Sequence, residues 1–173
     1  MKKIIQLLIF ITIFSSCENK KMAIKKIDAV NEKEAINKVL DAWHKSAAEA
    51  NFETYFDAMT NEGVFIGTDA SENWKYNEFK EFSKPYFDKG KAWNFNSIKR
   101  NIYISKDGKV AWFDELLDTW MGICRGSGVL IKSENNWKIE HYVLSLTIPN
   151  DNIDEVIKIN KEKDSLFLNK LKR

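Results

Sequence analysis

The chain has 173 residues, with 27 basic against 25 acidic side chains and a formal charge of +2. That is room for one principal domain, with no basic excess that would call for a nucleic-acid partner. Two histidines and two cysteines are too few for a zinc cluster or a disulfide framework, so neither metal nor cofactor is expected.

Met1-Lys2-Lys3, the apolar run from Ile4 to Phe14 and the small pair Ser15-Ser16 follow the plan of a secretory signal peptide. The run falls short of the roughly 20 apolar residues that span a bilayer. Small residues followed by Cys17 resemble the lipobox of bacterial lipoproteins, although Phe14 departs from the usual leucine. The resemblance implies acylation of Cys17 and, with Glu18 rather than aspartate next, an outer-membrane lipoprotein facing the periplasm or the surface. An ordinary secreted protein cut after Ser16 is the alternative. Lipid chains contribute about 0.8 kcal/mol per buried methylene, so several hold durably. Loss of Lys2 and Lys3 with the leader brings the net charge close to zero, and Cys124 is left without a disulfide partner. The chain therefore divides into a leader (1–16), a lipid-anchored polar tether (17–30), a domain (31–149) and a charged terminal helix (150–173).

Asn31 with Glu34 suggests a capping box, and Ile36, Val39, Leu40, Trp43, Ala47 and Ala50 then recur at helical spacing. A short helix is predicted from Phe52 to Met59, a strand over Val64-Phe65-Ile66, a turn at Gly67-Thr68-Asp69, and a helix over Asn77–Phe87 that Pro85 weakens. From Trp93 the grammar changes to four strands, Trp93–Ser105, Val110–Trp120, Ile123–Ser133 and Trp137–Ile148, separated by turn residues and forming an antiparallel meander. Asp151–Leu171 reads as a charged helix with a broken apolar stripe.

Helices followed by a long antiparallel sheet make an α+β plan. Phe65–Ala70, Ala111–Leu116, Arg125–Leu130 and Trp137–Tyr142 resemble the successive motifs of the SnoaL-like domain family, of the nuclear-transport-factor-2-like superfamily. The resemblance covers roughly residues 33 to 149. It implies a cone: a curved sheet around the first helix, with a pocket between the two. Relatives bind, catalyse or assemble with this plan, so fold leaves function open.

Strand alternation places His141 on one face with Trp137, Ile139, Val143 and Ser145. That face is expected to point inward unless a bulge exchanges the faces, which makes His141 a general base or a core histidine. Asp114 and Glu115 point to opposite faces; by alignment to relatives Asp114 is the inward one, as an acid-base group or an ion-pair partner of Arg125. Arg125 suits a carboxylate ligand. Tyr55, Trp93 and Trp112 are candidate aromatic lining. His44, off the apolar stripe of its helix, is expected in solvent, and Gly126-Ser127-Gly128 is read as close packing at a sheet bend. The leading expectation is a membrane-anchored binder of a small apolar or carboxylate-bearing molecule. The alternatives are an acid-base enzyme of isomerase, dehydratase or hydrolase type acting on a carbonyl compound, with His141 or Asp114 as base, and a dimeric assembly module. A homodimer is compatible with each.

Overall fold

The computed structural model describes residues 28–172; the leader, Cys17 and most of the tether lie outside them. Helix α1 (Ala29–Ala48) begins three residues before the sequence suggests, because Asp28 rather than Asn31 is the cap, its carboxylate accepting from Asn31 N–H at 3.3 Å. Helix α2 (Phe52–Asp57) leads into strand β1 (Met59–Ile66). The Gly67–Glu72 turn returns the chain through the short β2 (Asn73–Lys75) to α3 (Tyr76–Asp88). Glu78 reaches back to accept from Lys75 N–H at 2.8 Å, one half of a capping box, and α3 runs three residues past Pro85.

Strands β3 (Asn96–Ile104), β4 (Val110–Thr119), β5 (Gly122–Ser133) and β6 (Asn136–Leu146) form the expected meander. The sheet has the order β2-β1-β6-β5-β4-β3 and is mixed, since β1 pairs with β6 in parallel. The β4–β5 turn is only Trp120-Met121, with Gly122 at φ +90° closing it. The sheet wraps α1, whose Ile36, Leu40, Trp43 and Ala47 are buried against it. The core is aromatic: Phe65 stacks on Phe79 with centroids 4.0 Å apart, and Trp43 stacks on Tyr55 at 5.0 Å. Such pairs add about 1 kcal/mol each beyond the area they bury.

Strand β6 carries one residue more than its partner. Val129 pairs with His141 but Leu130 pairs with Ile139, so Glu140 is a bulge. Before it Trp137 and Ile139 face the core; after it Tyr142 and Leu144 do. Helix α4 (Ile153–Leu171), reached through a single 3-10 turn, buries none of its residues.

Candidate functional site

On α1 a polar stripe, Asn37, Asp41 and His44, runs beside the apolar one at four- and three-residue spacing and faces β3. On β4 alternation turns Ala111, Phe113, Glu115 and Leu117 inward, so Glu115, 1 % exposed, is the one ionisable member of that face. The expectation that Asp114 points inward is thus corrected: the aliphatic and aromatic companions of Glu115 are the ones the curved sheet buries. His44, expected in solvent, is 6 % exposed. Its Nε2 lies 2.8 Å from Glu115 Oε1, the same oxygen that accepts from Tyr142 Oη at 3.3 Å. Arg100 Nε donates to Glu115 Oε2 at 2.8 Å, and Arg100 Nη1 donates to Asp41 Oδ1 at 2.7 Å and Asn37 Oδ1 at 3.1 Å.

Burial alone would push the Glu115 carboxyl up. The hydrogen bond and charge of His44, with the charge and hydrogen bond of Arg100, outweigh it and hold the carboxyl below its ordinary 4.5. An ionised carboxylate only accepts, so Nε2 of His44 carries the shared hydrogen. Burial, reinforced by Glu115, drives the Tyr142 phenol well above its usual range. Gly126 sits across from Glu115. A Cβ there would collide with Tyr142 Oη and come within 3.0 Å of Glu115 Cγ, so the Tyr142–Glu115 contact requires glycine.

The network meets the surface in a groove of about 340 Å³ between α1 and the start of β3, lined by His44, Asp41 and Phe95 among others. A second hollow, an aromatic cleft of about 150 Å³, opens at the end of the sheet between Phe65, Trp74, Phe79, Phe82, Trp93 and Trp120. Glu72 is the one ionisable residue on its wall. Outside it, a basin of about 600 Å³ shares Trp93 and Trp120 with the cleft. The coil between α3 and β3 borders all three hollows.

Two of the six residues expected to line a pocket are brought together: Tyr55, fully buried, lies edge-on to Trp93 with centroids 5.4 Å apart. The other four lie on the outer sheet face. Trp112, nearly half exposed, stacks on Tyr103 at 5.8 Å, and Asp114 accepts from Asn101 Nδ2 at 2.9 Å rather than pairing with Arg125, which is exposed. His141 shares the side of its partner Val129, because the Glu140 bulge reverses the alternation that would have turned it inward. The residues the sequence reading passed over are His44, Arg100, Glu115 and Tyr142. The sequence holds a partial signal for two of them, the polar stripe at helical spacing on α1 for His44 and a lone carboxylate among apolar neighbours on one face of β4 for Glu115, and none that singles out Arg100 or Tyr142.

The model of the SnoaL-like domain family matches residues 36–149. No curated protein matches the chain. Among solved structures, an NTF2-like protein of unknown function from Pseudomonas putida superposes with a TM-score of 0.58 at 11 % identity, covering 71 % of this chain and 91 % of its own. A candidate dehydratase of the NTF2-like family from Streptomyces avermitilis gives 0.58 at 12 % identity, covering 69 % and 99 %. A candidate aromatic ring hydroxylase from Novosphingobium aromaticivorans gives 0.57 at 14 %, covering 69 % and 92 %. At these identities the likeness is one of fold.

Proposed function

The chain belongs to the SnoaL-like domain family, and from that premise we propose that it binds a small, flat, largely uncharged molecule and is held at a membrane by an acylated Cys17. The aromatic cleft carries the reading: its wall offers ring faces and edges to a planar apolar body, and its size suits one or two rings. A carboxylate-bearing ligand is the less favoured class, since the ionisable group on the wall is itself an acid, Glu72, and Arg125 stands on the other side of the sheet.

A second reading, an acid-base enzyme, draws on the His44–Glu115 pair, in which the carboxylate holds Nε2 and orients the imidazole with Nδ1 turned away from it. The candidate dehydratase and candidate ring hydroxylase of the same fold make that reading reasonable without deciding it.

One experiment separates the two. The full chain, purified gently from its host, is examined by native mass spectrometry and any bound molecule is released and identified. The expected result is a stoichiometric, ring-containing neutral molecule whose affinity falls about tenfold on Phe82→Ser at the cleft rim, and which the protein returns chemically unchanged. Conversion of that molecule by the parent but not by His44→Ala would overturn the binder in favour of the enzyme. The same spectrum reads whether two copies associate, as the exposed Tyr103–Trp112 stack on the outer face would favour.

The anchor has its own check. The parent chain is expected in the detergent-rich phase of a phase partition and Cys17→Ser in the aqueous phase; equal partition of both would remove the lipid from the reading.

A further inference from the structure

Three core residues carry hydrogen-bonding capacity that the described residues leave unused: Trp43 Nε1 and Ser83 Oγ have no partner, and Tyr55 Oη, which the Trp93 indole reaches, has no acceptor for its own hydrogen; a fourth buried atom, Arg100 Nη2, keeps only its ion pair with Glu115 Oε2 at 2.8 Å. All three residues are essentially inaccessible. An indole N–H can only donate, and leaving such a group unpaired in an apolar interior forfeits the hydrogen bond it makes to water in the unfolded chain. Ser83 is the more telling because a helical serine ordinarily satisfies itself on the carbonyl four residues back. Ser46 and Ser165 do so, each at 2.8 Å, and Ser83 does not.

The three groups belong to one neighbourhood. Tyr55 stacks on Trp43 at 5.0 Å. Ser83 lies on the inner face of α3 between Phe79 and Phe87, one turn away on either side. Phe79 is 6.1 Å from Tyr55 and 5.9 Å from Trp93, and Phe87 is 5.3 Å and 5.5 Å from the same two rings. Trp93 is therefore the partition: it packs on Tyr55 on one side and lines the aromatic cleft on the other. It stands in the coil between α3 and β3, outside any helix or strand, so its displacement breaks no sheet or helix hydrogen bond.

We infer that, with Trp93 swung aside, the binding site extends inward to Trp43, Tyr55 and Ser83, which donate to a neutral acceptor oxygen, a ketone, aldehyde or quinone carbonyl, on a ligand whose ring fills the cleft. The inference rests on the cleft reading above and names the polar group its ligand carries. Neutrality follows from the surroundings: the one cation nearby in the network, Arg100, is already held by Glu115 and Asp41, and an unpaired carboxylate buried among aromatic rings would be strongly disfavoured.

The test uses two rigid, flat probes that differ only in a carbonyl, 1-indanone and indane, titrated by ligand-observed NMR against the full chain carrying Cys17→Ser so that no lipid competes. Indane is the more hydrophobic, so a purely apolar site prefers it. The expected result is the reverse: 1-indanone binds at least tenfold more tightly, and Tyr55→Phe and Ser83→Ala each erase most of that preference while leaving indane affinity unchanged. Each variant removes only a hydroxyl whose hydrogen has no acceptor, so the melting temperature is expected to hold within a few degrees, which separates loss of recognition from loss of fold. If both probes bind and indane binds as tightly as 1-indanone, or if neither hydroxyl alters the ratio, the carbonyl subsite is overturned while the cleft stands. If neither probe binds, the cleft reading fails and takes the subsite with it.

Discussion

Replacing Glu115 with glutamine is expected to cost about 3 kcal/mol of folding stability, read as a shift of the urea midpoint at unchanged slope. The carboxylate gathers His44, Tyr142 and Arg100 in a place with almost no water. A neutral amide leaves the guanidinium with Asp41, largely exposed, as its remaining counter-charge. Removing one partner of a buried pair is costly because the other charge is stranded, whatever the pair was worth as a whole. The substitution also changes the response to acid. The Glu115 carboxyl is held below 4.5 in the folded protein, so it binds its proton less readily folded than unfolded. Its contribution is complete above the unfolded value and is lost as the pH falls through the folded one. The parent is therefore expected to lose stability on acidification from pH 4.5 downward more steeply than Glu115→Gln, and the two curves should converge at the acid end. A midpoint unmoved by the substitution at neutral pH would show that Glu115 is not what compensates the buried Arg100 charge.

Gly128→Ala is expected to be comparably damaging, about 3 kcal/mol, through backbone rather than charge. Gly128 lies beside the β6 bulge, and a Cβ there would fall inside the van der Waals shell of the His141 carbonyl oxygen and 2.8 Å from Phe113 Cε1. A flexible side-chain tip could step aside at small cost; a carbonyl fixed in a sheet cannot, and Phe113 is locked in the core. Gly122, by contrast, has open space around its position and is held only by its positive φ, so Gly122→Ala should cost about 1 kcal/mol. Thermal or chemical unfolding of the two variants side by side checks the ranking, and equal losses would contradict the close approach as the reason for a glycine at 128.

The element order was legible because periodicity reports it directly. The apolar stripe of α1 and the turn residues between β3 and β6 placed five of the long elements to within a few residues. The short β2 escaped because three residues give no period to detect. The site was less legible for two separate reasons. Alternation along β4 divides Asp114 from Glu115 correctly, but both faces carry apolar companions, and only curvature decides which is enclosed. On α1, His44 lies beside the apolar stripe rather than within it, and a helix covered on one side would leave it in solvent. Here the sheet curls far enough for β3 to cover that flank as well, where Arg100 turns Asn37, Asp41 and His44 from a solvated stripe into one wall of a polar network. Tertiary wrapping of this kind has no signature in a single sequence. The polar groups left unpaired around Tyr55 have none either, since being unpaired is a property of neighbours and not of residue type.

The extra residue in β6 also bears on how such a strand can change over generations. Because Glu140 is already out of step with β5, loss of its codon would leave Trp137, Ile139, Tyr142 and Leu144 on the side they now occupy. A codon gained or lost between His141 and Leu146 would exchange every inward residue beyond that point for its outward neighbour. Length variation among descendants of this strand is thus tolerable at position 140 and ruinous a few positions later. A comparison that counts residues by twos across position 140 will match the wrong histidine to the pocket.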